Sequence, residues 1–318
     1  MDFKNYLVPG KTGLLIGIGG VSMSPLAEVL HDAGLDIRGS DMAESSNTLT
    51  LRERGIPIHI GHSADNVTDD ISFVIRTAAV HDDNPEVHEA HRRGIPVFER
   101  TQAWGALMRG YQNALCISGT HGKTTTTSMC THIMMAAEKD PTVMIGGTLP
   151  LLKACHRVGK GNTIIMESCE YYNSFLALNP TIAVVLNIEA DHLDFFKDLE
   201  DIKHSFRCFA ERVPAETGTV IANYDDANTM DALRGIARKV ITFGLNAKAD
   251  VYAQNIVHRG SVSEFDIYHR GNYFARVTLH VPGIHNVRNA LAATAAAIVL
   301  GVSPNAVKYG LAGFEGAG

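Results

Sequence analysis

The chain has 318 residues, 45% hydrophobic and 19% charged; this excludes a disordered polymer and, at roughly 150 residues per domain, suggests two domains. Its 28 Lys and Arg against 34 Asp and Glu give a net charge of −6, which excludes the basic footprint of a nucleic-acid binder. No stretch approaches the roughly 18 apolar residues of a membrane span, and no apolar signal core precedes the first glycines, so a cytoplasmic protein without membrane insertion is expected.

In chain order, residues 13–19 form an apolar run into glycines, and residues 24–33 follow with helical spacing, Leu26, Val29 and Leu30 on one face. Strands are expected at 35–41, 71–77 and 95–99, separated by polar helical segments such as NPEVHEAHRRG, and a helix carrying Trp104 fades at 108–113. This alternation predicts a parallel sheet with helices on both faces. A second series opens at 114–119 and continues with strands at 142–146, 162–168, 181–187, 218–223 and 238–244. From Val251 to Val281 the period approaches two, with a Gly271-Asn272 turn, which predicts an antiparallel hairpin at the sheet edge. The alanine-rich segment 289–301 is a buried helix, and no closing element is expected after it. The fold class is therefore α/β in two domains. Residues 1–109 form a Rossmann-like parallel sheet, and residues 110–318 a P-loop ATPase-like α/β domain with an antiparallel edge. Cys116, Cys130, Cys155, Cys169 and Cys208 include no CxxC pair and are expected to be reduced, mostly buried thiols.

Gly119-Thr120-His121-Gly122-Lys123-Thr124 lies between a strand and a helix. Backbone amides at a helix N-terminus attract phosphate, a lysine neutralises the β and γ oxygens, and a threonine hydroxyl holds magnesium. Ile117 stands where a strict Walker A motif has glycine, so the loop is a shortened variant. Carboxylates are expected at neighbouring strand ends, where open parallel sheets bind ligands. Glu167 ends one strand, and Glu189, Asp191, His192 and Asp194 follow another. In the first series Gly17-Ile18-Gly19-Gly20-Val21-Ser22 is a GxGxxG-like turn with serine in the third glycine's place, and Asp41 ends the next strand. The turn suits a dinucleotide, with Asp41 on a ribose, or the diphosphate of a nucleotide sugar.

GTHGKTTTT, Glu167 and NIEADHLD together resemble the Mur ligases, which use ATP to join an amino acid to a peptidoglycan precursor. GIGGVSMSPLAEVL, GSD, NPE, GIPV and PGIHNVRNALAA are similar to the alanine-adding branch. The resemblance implies phosphorylation of the carboxylate of UDP-N-acetylmuramate and attack by the amine of L-alanine on the acyl phosphate. It implies ATP on Gly119, Thr120, His121, Gly122, Lys123, Thr124 and Thr125, with Asn286 and Asn289 near the adenine. Lys123, Glu167 and His192 would be catalytic. Thr124, Glu167 and His192 would hold Mg2+, with Mn2+ also suited to the histidine, and Gly17, Gly19, Gly20, Ser22 and Asp41 would hold the UDP-sugar. The place of the carbamylated lysine of later-acting ligases is Phe206. The family's third domain would begin about where this chain ends, so these two domains alone are expected to bind nucleotides without completing ligation. A tripeptide-adding ligase of the same family, a noncatalytic nucleotide-binding module and a nicotinamide oxidoreductase are the competing readings.

Overall fold

β1 (Thr12–Ile16) is buried at all five positions, the continuous apolar pattern of a central parallel strand. A computed structural model describes residues 2–77 and 79–316, in two units, Met1–Gly110 and Tyr111–Gly318. After β1 the first unit runs α1 (Ser24–Asp32), β2 (Asp36–Asp41), α2 (Ser46–Glu53), β3 (Ile58–Ile60), β4 (Ile71–Arg76), α3 (Pro85–Arg92), β5 (Val97–Glu99) and α4 (Arg100–Met108). Its five strands are parallel in the order β3-β2-β1-β4-β5. β1 thus lies where the strand order reverses, and its C-terminal end opens the crevice in which such sheets bind ligands. Two elements absent from the sequence reading, α2 and β3, complete the alternation.

The second unit begins β6 (Asn113–Ser118), α5 (Lys123–Ala136), β7 (Thr142–Leu149), β8 (Ala154–Arg157), β9 (Thr163–Glu167) and β10 (Ile182–Val185). It continues α6 (Leu199–Glu211), β11 (Thr219–Asn223), α7 (Ala227–Ala232), β12 (Lys239–Gly244), β13 (Val251–Arg259), β14 (Val262–His269), β15 (Asn272–Leu279), α8 (Ile284–Val299) and α9 (Pro304–Ala312). The ten-stranded order is β15-β14-β13-β12-β11-β10-β6-β9-β7-β8. The expected antiparallel edge is a three-stranded meander, β13 to β15. The opposite edge is antiparallel as well, because β8 turns back on β7.

Two expectations are corrected. A closing element exists: α9 packs on α5, its N-terminus capped by Ser303, whose hydroxyl accepts the Ala306 amide, with Pro304 in the first turn. Val307 and Leu311 are fully buried there, which holds a helix too short to persist by itself. The thiols are not mostly buried. Only Cys116 and Cys130 are enclosed, while Cys155 and Cys208 are partly exposed and Cys169 is exposed in the loop after β9. Burial pushes the Cys116 and Cys130 thiols up to about 12, so both are inert apolar filler. Phe206 is likewise core, packed edge-on against Phe175.

Candidate functional site

In the first unit, Gly17 turns the chain out of β1 at φ +78. The Gly17 and Ile18 amides both donate to the Ser40 carbonyl, and the Gly19 amide donates to Asp41 Oδ2 at 2.8 Å. Asp41 therefore shapes the glycine turn from the end of β2. A cavity of about 650 Å³ opens above, lined among others by Gly17, Gly19, Gly20, Asp41 and His62. Ser22 is not in this lining; its hydroxyl accepts from Arg100 and its carbonyl from Trp104.

A buried network lies behind the cavity. Glu86, fully buried near the start of α3, accepts the Ser40 hydroxyl at 2.7 Å, the Asn66 amide at 2.6 Å and His62 Nδ1 at 2.9 Å. With its Nδ1–H given to a carboxylate, the His62 ring is fixed while the residue itself lines the cavity. The sequence reading missed all four residues. The available signal was NPE, which reads as a helix start: Asn84 does cap α3, but the glutamate two residues on points inward.

In the second unit, the loop between β6 and α5 is held by the segment after β10. The Thr120 amide donates to the Asn187 carbonyl, the Asn187 side chain exchanges two hydrogen bonds with the His121 backbone, and the Glu189 amide donates to Thr120 Oγ1. Gly122 has φ +84, and a Cβ there would stand 2.7 Å from Asn289 Oδ1. At Gly119, φ +145, a Cβ would stand 2.8 Å from the Cβ of Leu186. The loop is therefore bare backbone followed by a helix whose first residues are Lys123, Thr124 and Thr125, the arrangement that presents amides to an anion.

Thr124 Oγ1 donates to Glu167 Oε1 at 3.1 Å, and Glu167 Oε2 accepts the Gly146 amide at 2.7 Å. This brings together a hydroxyl and a carboxylate suited to a hard cation. His192, at φ +52, approaches a different carboxylate: its Nε2 lies 3.9 Å from Glu170 Oε1. Its ring stacks on Tyr171 with centroids 4.3 Å apart. Tyr171 donates its hydroxyl to Asp194 at 2.5 Å, a bond that raises the phenol's pKa. Among the described residues no three His, Cys, Asp or Glu side chains gather as a metal cage, so a cation here would draw on Thr124, phosphate or water. Glu170, which the sequence reading did not single out, is nearly buried and pairs with Lys123 Nζ at 3.1 Å.

A second cavity, of about 350 Å³, lies beside this loop, lined among others by His121, Asn187, Asn223, Arg288 and Asn289. Asn286 does not line it; its amide donates back to the Pro282 carbonyl, bracing the start of α8, and its Oδ1 accepts from Asn289 at 3.4 Å.

Comparison with known proteins gives matches to the Mur ligase middle domain over residues 117–297 and to the Mur ligase family, catalytic domain, over residues 15–112. The UDP-N-acetylmuramate--L-alanine ligase of Agathobacter rectalis is 45% identical over 303 residues, covering 95% of this chain and 66% of the relative. That of Clostridium novyi is 44% identical over 317 residues, covering 100% of this chain and 69% of the relative. Among solved structures, UDP-N-acetylmuramate-alanine ligase from Thermotoga maritima superposes with a TM-score of 0.79 at 30% identity, over 96% of this chain and 69% of that one. The UDP-N-acetylmuramate:L-alanyl-gamma-D-glutamyl-meso-diaminopimelate ligase from Neisseria meningitides gives 0.85 at 26% identity, over 96% and 99%. The chain spans just under two thirds of the length of the first of these relatives.

Proposed function

Since the chain belongs to the Mur ligase family, we propose that it serves ATP-dependent ligation of L-alanine to the carboxylate of UDP-N-acetylmuramate. The observation that carries this reading is the second unit's loop, in which two glycines without room for a Cβ lead into Lys123 and a Thr124–Glu167 pair at the central strand ends. Relatives at 44–45% identity named for alanine ligation support the alanine acceptor over the tripeptide.

In this reading Gly119 to Thr125 cradle the triphosphate, and Asn289 lines the neighbouring nucleotide cavity while Asn286 braces it. Lys123 offsets charge on the phosphoryl group in transfer, a stabilisation worth most in the transition state. Thr124 and Glu167, whose oxygens fit a hard cation, would hold Mg2+; His192 would serve a second ion, Mn2+ suiting its imidazole. Bound Mg2+ would neutralise phosphate charge. The first unit, residues 1–109 in the sequence division, takes the UDP-sugar in the cavity lined by Gly17, Gly19, Gly20 and Asp41, and residues 110–318 take ATP. Among the described residues no helix is long and apolar enough to cross a membrane; a cytoplasmic site of action is part of the proposal.

Calorimetry with UDP-N-acetylmuramate, with a non-hydrolysable ATP analogue plus Mg2+, and with NADH tests the reading. Saturable binding of the first two is expected. Binding of NADH in place of the UDP-sugar would overturn it.

A further inference from the structure

The Lys123 ammonium is fully engaged by protein groups. It donates to the Gly119 carbonyl at 2.6 Å, to the Thr120 carbonyl at 3.1 Å and to both oxygens of Glu170 at 3.1 and 3.3 Å. The Glu170 side chain is 3% exposed, that of Lys123 15%. Beyond the lysine, the His192 imidazole approaches Glu170, its Nε2 3.9 Å from Oε1. If Lys123 turns toward a phosphate, Glu170 is left as a buried anion without a close cation, a costly state unless another positive charge replaces the ammonium. The Glu170–His192 pair is chemically suited to supply the seat, since a carboxylate and an imidazole suit a divalent ion such as Mn2+, with water completing its shell.

We infer that Glu170 is a shared cation seat: it holds the Lys123 ammonium when the loop is empty and accepts a divalent cation beside His192 when the lysine engages phosphate. Resting on the proposed role of Lys123 at the nucleotide phosphates, this makes Glu170 a positioning residue that couples metal binding to nucleotide binding. Ammonium and divalent cation compete for one carboxylate. The position of His192 fits this role: its left-handed backbone and its stack on Tyr171, itself tied to Asp194, hold the imidazole beside Glu170.

The competition is tested on nucleotide-free protein by titrating Mn2+ and reading free Mn2+ by electron paramagnetic resonance. Lys123→Met removes the competing charge at similar length and should tighten the weakest Mn2+ site about tenfold or more, the scale on which an adjacent unit charge shifts an ionic equilibrium. The double variant Lys123→Met/Glu170→Gln should lose that gain. Equal Mn2+ affinity in wild type and Lys123→Met, with both shown folded by circular dichroism, would overturn the shared seat. A gain that survives Glu170→Gln would overturn it too, by placing the ion elsewhere. Binding of a non-hydrolysable ATP analogue in EDTA separates this inference from the functional reading. Lys123→Met should weaken it, and unchanged affinity would sink the role of Lys123 at phosphate whatever the Mn2+ result.

Discussion

At the scale of single residues, the second unit's loop is constrained from two directions. Gly122 sits at φ +84, where an L-residue pays roughly 1–2 kcal/mol, and its missing Cβ is the space into which Asn289 Oδ1 projects. Gly122→Ala should therefore lower stability by about 1–2 kcal/mol and weaken ATP-analogue binding more than tenfold, because the displaced Asn289 lines the cavity proposed to take the nucleotide. Urea unfolding and calorimetry read the two effects, and an alanine variant with wild-type values in both would refute the close approach. Glu86 makes the opposite kind of claim. Glu86→Ala strips the buried Ser40 and the partly buried His62 and Asn66 of a common acceptor and should cost on the order of 3 kcal/mol, seen as a lower urea midpoint, with weaker UDP-sugar binding as His62 loses its anchor. These residues mark the limit of sequence reading. Lys123 and Thr124 could be read because their partners are adjacent in a motif, and Glu167 because it ends a strand. Glu170 and Glu86 could not, since what makes them special is burial against groups 47 and 46 positions away.

Secondary-structure elements were legible where apolar runs end in punctuation. β1, β6 and β10 are buried at every position but one, and their glycine or asparagine exits fix the loops. The helices that escaped notice, α2, α6, α7 and α9, carry their signals as caps instead: Ser45, Asp198, Asp226 and Ser303 each accept a backbone amide at a helix start. Helix α3 shows what an element adds to one residue's chemistry. Glu89 faces Arg92 and Arg93, three and four positions on, and receives their guanidinium bonds at 2.6 to 2.7 Å. The Arg92 bond first, then the Arg93 bond, holds the carboxyl at about 2, below its ordinary range. A depressed folded-state value means that the contribution is complete above the ordinary carboxylate range and disappears as pH falls toward 2. Carboxyl-carbon NMR should show Glu89 still titrating near pH 2, and Arg92→Gln should move the midpoint upward; a midpoint at 4 or above in wild type would mean that the pairs do not persist in solution.

At the scale of the whole chain, one topological rule accounts for both candidate sites. In the first sheet β1 lies between β2 and β4; in the second, β6 lies between β10 and β9. Each is the central strand where successive connections diverge, and each releases its glycine loop into the crevice that the divergence opens. The ends of neighbouring strands then supply the supporting groups: Asp41 after β2 for the first loop, and Glu167 after β9 with Asn187 after β10 for the second. The two loops therefore differ through their side chains rather than their architecture, and the proposed difference in ligand rests on those side chains. The first has no lysine, and its carboxylate is tied to the Gly19 amide. The second has Lys123, Thr124 and a carboxylate pointing at the threonine. Hydrogen exchange read by mass spectrometry should separate them. UDP-N-acetylmuramate should slow exchange at 17–22 and 41–45, whereas an ATP analogue with Mg2+ should slow it at 119–125 and around Asn187. Because slowed exchange reports amides that become hydrogen-bonded or closed off by ligand, protection of 119–125 by the UDP-sugar and of 17–22 by the ATP analogue would reverse the assignment of the two crevices while leaving the topological rule intact.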